Sequence, residues 1–125
     1  KGTAEAMTVA QSVSQYYTCV ETIFFRISAF FENNLPKEHW HKELLNRMAC
    51  RIEGIRGPVI NDELKEALEE LLRFRHFTRY YFDINYDWNK LDFILMKYDY
   101  IALNLPEQIN NFISFLNKLA DNECD

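Results

Sequence analysis

Glycine and proline are scarce, with three of each among 125 residues. Few points force the chain to reverse, which disfavours many short strands joined by tight turns and favours long helices. Cysteine is equally sparse. Cys19, Cys50 and Cys124 are scattered, odd in number and free of any CxxC pairing. Neither a disulfide framework nor a cysteine-based metal site is expected, and the chain reads as a reduced, cytoplasmic protein. No apolar run approaches the roughly 18 residues of a membrane span, and no signal-peptide pattern is seen, so neither membrane insertion nor secretion is expected. Excess positive charge is missing too. Lys and Arg number 14 against 19 Asp and Glu, a net charge of −5. That balance argues against general nucleic-acid coating and leaves room only for a small local basic site.

What is present is apolar and aromatic. The apolar share of 48% suffices for one buried core at this length, and Phe (10) and Tyr (7) dominate the aromatic residues. One domain over residues 1–125 is expected. Residues 4–32 carry Val13, Tyr17, Val20, Ile23, Phe24, Ile27, Phe30 and Phe31 at steps of three and four, the period of one helix face. Pro36 disfavours the α region for its predecessor and ends that helix. A second helix is expected from 38 or 40 to 53, with Leu44, Leu45, Met48, Ala49 and Ile52 as its stripe. Gly54 and Arg56-Gly57-Pro58 then break the chain. Asn61 or Asp62 can cap a third helix that reaches about residue 81. From Trp88 the stripe Leu91, Leu95, Tyr98, Ala102, Leu105, Ile109, Phe112, Leu116 and Leu119 keeps its register through Pro106. One long helix kinked at Pro106 is preferred over a break there with Asn104 as a cap. The pattern gives an all-α, antiparallel four-helix bundle, or five if that helix breaks. Sustained heptads permit a coiled-coil partner as well as packing within the bundle.

Charge arrives where the third stripe predicts core. Continuing from Leu68, Leu71 and Leu72, the next inward positions are Arg75, His76 and Arg79. An unpaired buried guanidinium is costly. These side chains must meet carboxylates such as Glu66, Glu69, Glu70 or Asp83, line a cleft, or face a second subunit. In a cleft, Arg suits phosphate because its planar fork donates paired hydrogen bonds. His76, with an ordinary pKa near ~6.5, can move protons close to neutral pH.

The stretch ELLRFRHFTRYYFDINYDW resembles the signature of the HepT-like branch of the HEPN superfamily. YYTCVETIFFRIS, HWHKELLNRMA and GPVINDELKEALEELLRFRH precede it in similar order and spacing, so the resemblance spans about residues 16–119. It implies an all-helical domain that pairs as a two-fold homodimer and has a nucleotidyltransferase-like antitoxin as partner. The active members are metal-independent endoribonucleases of toxin–antitoxin systems, with an Arg-x4-His-x-Tyr site in the cleft between subunits. In some, the antitoxin adenylylates the motif's Tyr. Arg75 matches the motif's Arg, but Tyr80 stands where its His belongs and Phe82 where its Tyr belongs. Tyr titrates near ~10 and is a poor base at neutral pH, and Phe82 has no hydroxyl to modify.

Three readings follow from that departure. His76 takes over as base, with Arg75 and Arg79 on the phosphate and Tyr80 in support. Or the domain is a non-cleaving homologue that binds a partner or RNA. Or the motif is displaced by a few residues at the helix end. No cofactor and no metal are implied.

The remaining features have plainer readings. His39-Trp40-His41 is a weak metal pattern, better read as a polar loop with Trp40 anchoring the next helix. Arg47, Arg51 and Arg56 are expected on a solvated face with local ion pairs rather than on RNA. Tyr80, Tyr81, Tyr86 and Trp88 are read as core or dimer-seam aromatics before base-stacking ones.

Overall fold

The computed structural model describes residues 2–32, 35–80 and 87–123, the side chains of Tyr80 and Glu123 excepted. The described residues form four helices: α1 (Thr3–Phe31), α2 (Trp40–Met48), α3 (Asp62–Tyr80) and α4 (Trp88–Glu123). The all-α bundle expected from the stripes is what forms. Among the described residues the sole β-type pairing is an isolated bridge between Ile52 and Arg56. No helix there is long and apolar enough to cross a membrane.

Side-chain pairs fix the helix directions. Ser14 meets Thr78 and Glu21 meets Arg75, so α1 and α3 run antiparallel. Tyr100 donates to Glu63 and Lys90 lies over Phe77, so α3 and α4 are antiparallel as well. Tyr16 against Tyr98 and Phe31 against Phe112 then show α1 and α4 side by side in the same direction. Tyr17, Phe24, Leu44, Leu45, Leu64, Leu68, Leu71, Leu91, Ile94 and Ile101 form the centre of one core. Each such aliphatic side chain contributes about 1.5–3 kcal/mol through burial.

The α1 stripe is narrower than its sequence suggests. Val13, Tyr17, Val20 and Phe24 are buried, and Glu21 and Ser28 join them, whereas Ile23 and Phe30 are exposed at 48% and 77%. The apolar residues of α1 occupy two adjacent ridges, and only one of them meets α3 and α4. A carboxylate therefore sits in the core-facing row.

α2 ends at Met48, short of the expected residue 53. Arg56 explains the early stop. It was expected on a solvated face, but it is buried, donating to the carbonyls of Arg47 at 3.0 Å and Cys50 at 3.0 Å. Those are carbonyls a longer helix would have used itself. A 2.6 Å pair with Glu32 holds the same guanidinium to the end of α1. Gly54 takes φ 75° in the tight turn between Ile52 and Arg56, a conformation that glycine adopts without steric cost. Arg47, in contrast, pairs with Glu43 one turn away, as expected of a surface cation.

Asn61 caps α3, its Oδ1 accepting from the Leu64 N–H at 2.9 Å. α4 passes through Pro106 as one helix. Asn104 lies inside it, donating to the Tyr100 carbonyl rather than starting a new element.

Candidate functional site

The third stripe predicted three inward charges, and only one is inward. Arg75 is 5% exposed, while His76 and Arg79 are exposed. The helical period accounts for this. Leu64, Leu68, Leu71, Phe74 and Arg75 share the buried face, and His76 lies about 100° around from Arg75. Arg79 returns close to Arg75 in angle but one turn further on, where α3 nears its end.

The partner of Arg75 is not one of the α3 carboxylates expected to balance it. It is Glu21 of α1, 6% exposed. Arg75 Nη1 donates to Glu21 Oε1 at 3.1 Å and Nη2 to Oε2 at 3.2 Å, a paired fork. Nη1 also donates to Thr18 Oγ1 at 3.1 Å, and the guanidinium lies 4.8 Å from the Tyr17 ring centroid. Burial, then the Glu21 charge, pushes the Tyr17 hydroxyl well above its usual value, with Arg75 pulling the other way.

His41 completes the cluster from the first turn of α2. Its Nδ1 stands 2.7 Å from Glu21 Oε2 and 3.2 Å from Arg75 Nη2. The structure thus joins α1, α2 and α3 through one carboxylate. Glu21 and His41 were missed in the sequence. The available signal for Glu21 was an acidic residue one step from Val20 and Tyr17 in an apolar row, the natural counterpart of an inward Arg. Trp40 opens α2 and lies edge-on to Phe25 of α1 at 5.6 Å, so it anchors that helix as expected. No group of His, Cys, Asp and Glu among the described residues could hold a metal ion.

Beside Arg75 a groove of about 570 Å³ opens between α1 and the end of α3. Gln11, Ser14, Gln15 and Thr18 line one wall, and Arg75, Thr78 and Arg79 the other. Among the described residues no carboxylate forms an ion pair with Arg79. His76 and Arg79 are three residues apart on one helix, a spacing that makes them surface neighbours. Of the four expected site residues, Arg75 and Arg79 share the groove and His76 flanks Arg79. The Tyr80 side chain lies outside the described atoms, as do Phe82, Tyr81 and Tyr86.

A model of the family described as HepT-like protein matches residues 8–116. The chain belongs to the HepT-like family. No curated protein and no solved structure matches it significantly. In this HepT-like chain Arg75 is held by Glu21, and the exposed cation of the groove is Arg79, one turn further on.

Proposed function

We propose that this HepT-like protein is the HEPN-type component of a toxin–antitoxin pair and acts as a metal-independent endoribonuclease. The observation that carries the reading is the exposed Arg79 in a groove that also holds Arg75, with exposed His76 three residues before it on α3. An RNA phosphate seated at Arg79 receives a charge-assisted hydrogen bond. His76 takes the proton of the ribose 2′-OH, the 2′-oxygen attacks phosphorus, and Arg79 stabilises the charge that builds on the phosphorane. Arg75 acts as a positioning residue: its fork is occupied by Glu21, and it holds the groove wall from which Arg79 extends. Tyr80 is assigned a supporting role on its sequence position alone. The partners proposed are a second copy of the chain, which would set two grooves about a two-fold axis, and a nucleotidyltransferase-like antitoxin.

The saturation of Arg75 favours a second reading. Both of its Nη nitrogens already have acceptors, and Tyr80 stands where the family's His belongs. On that reading the chain is a non-cleaving homologue that binds RNA or its protein partner. Cleavage of tRNA and mRNA by the purified protein in EDTA separates the two. The ribonuclease reading expects cleavage that falls on the order of 10²–10³-fold in Arg79→Ala and in His76→Ala, with folding intact. A folded wild-type chain that leaves both RNAs whole favours the binding reading.

A further inference from the structure

The contact between His41 and Glu21 fixes more than a fold. At 2.7 Å a carboxylate oxygen and a bare imidazole nitrogen would set two lone pairs against each other. Nδ1 therefore carries hydrogen and donates to Glu21 Oε2. The 3.2 Å approach of Arg75 Nη2 to the same nitrogen is then a close contact and not a second hydrogen bond. The ring is also packed against Trp40, centroids 3.8 Å apart and planes 31° apart. A buried carboxylate sets the tautomer, and an indole sets the plane. The side chain stays 38% exposed, so the nitrogen free for outside chemistry is Nε2. This is the carboxylate–imidazole arrangement by which proteins orient a proton-transferring histidine.

Cleavage by 2′-oxygen attack needs two proton movements. The O2′–P bond forms as the P–O5′ bond breaks, so one group accepts the 2′-OH proton and another gives a proton to the departing 5′-oxygen. His76 supplies the first. A guanidinium is a poor proton donor, so arginine is not the group that supplies the second. Burial raises the Tyr16 and Tyr17 hydroxyls above their usual range and makes both weaker acids than an imidazolium. His41 adjoins the groove through Arg75, which touches its ring and lines the groove wall.

We propose that His41 is the second proton-transfer group of this site, held through Nδ1–H by Glu21 and delivering a proton from Nε2 to the 5′-oxygen of the leaving nucleotide. The proposal rests on the ribonuclease reading. The charged groups facing the ring are Glu21 from α1 and Arg75 from α3, so the trio carries one net positive charge when His41 is protonated.

The decisive variant is His41→Asn, whose side-chain N–H sits where Nδ1–H does and keeps the bond to Glu21, while Nε2 is gone. RNA cleavage in EDTA is followed against pH for wild type, His41→Asn and His41→Gln. A chromogenic nitrophenyl ester of uridine 3′-phosphate serves as second substrate, because nitrophenolate leaves without a proton. Unchanged melting of His41→Asn, with RNA cleavage down on the order of 10²–10⁴-fold, is expected. The alkaline fall of the pH profile should be lost in the same variant, and near-wild-type turnover of the nitrophenyl ester should remain. Equal losses on both substrates, or none on RNA, overturn the proposal and leave His41 as a tie between helices. In those cases the His76–Arg79 reading stands. A folded wild type that cleaves neither substrate removes that reading and this one together. Should His41→Asn melt early, the wild-type profiles decide: an alkaline fall seen with RNA and absent with the nitrophenyl ester supports the proposal, and the same fall with both overturns it.

Discussion

Glu21→Ala should be among the most damaging substitutions in the chain. Glu21 and Arg75 are 6% and 5% exposed, and two hydrogen bonds of 3.1 and 3.2 Å join them. Removing the carboxylate leaves a guanidinium buried against the Tyr17 ring with Thr18 Oγ1 as its remaining firm acceptor. It also strips His41 of the partner at 2.7 Å. Breaking a buried pair from one side costs about 3–5 kcal/mol. For a chain of this length that corresponds to roughly 10–20 °C in melting temperature. Thermal and urea unfolding by circular dichroism measure it directly. The double variant Glu21→Leu, Arg75→Met should recover most of the loss, because apolar residues of similar volume replace such a pair at little cost. A Glu21→Ala protein that melts within a few degrees of wild type would refute the reasoning, since it would mean that Arg75 finds other compensation.

Three further outcomes are expected. Arg56→Ala should cost about 3–5 kcal/mol in urea unfolding, because it leaves the largely covered Glu32 carboxylate without its 2.6 Å partner and frees the carbonyls at the end of α2. Asn61→Ala should cost about 1 kcal/mol through loss of the α3 cap, read in the same assay. The Tyr17 hydroxyl titrates higher in the folded chain than in the unfolded one. Its contribution to stability is therefore full below about pH 10 and is lost as pH rises from there towards the folded-state value. Tyr17→Phe keeps the ring under Arg75, and its stability measured between pH 9 and 12 should fall less steeply than that of wild type.

The helices were legible because their signals are local and redundant. The α3 cap at Asn61, the turn at Gly54 and the unbroken register across Pro106 each belong to a few adjacent residues. The buried face of α1 was less legible, since two apolar ridges compete and composition does not say which one meets α3. Arg75 was readable as a charge in a core row, but its partner was not. Glu21 is 54 positions away, and nothing in the local pattern of α3 selects a carboxylate on α1 over Glu66, Glu69 or Glu70. The solvated-face expectation for Arg56 failed for a similar reason: its acceptors are backbone carbonyls and a carboxylate at the end of α1. His41 reads in the sequence as part of a polar loop and acquires its role only from the fold. The sequence-level departure at Tyr80 and the buried pairing of Arg75 bear on the same site independently. On the proposed function, the chemistry then lies further out, at His76 and Arg79.

The central claim is that this chain cuts RNA by attack of the ribose 2′-oxygen without a metal. Its most direct test is the chemistry of the product ends after incubation of RNA with the purified protein in EDTA. The account predicts 2′,3′-cyclic phosphate or the 3′-phosphate that follows from it, together with 5′-hydroxyl ends, all lost in Arg79→Ala. Products with 3′-hydroxyl and 5′-phosphate ends, or intact RNA from a folded protein, would contradict it.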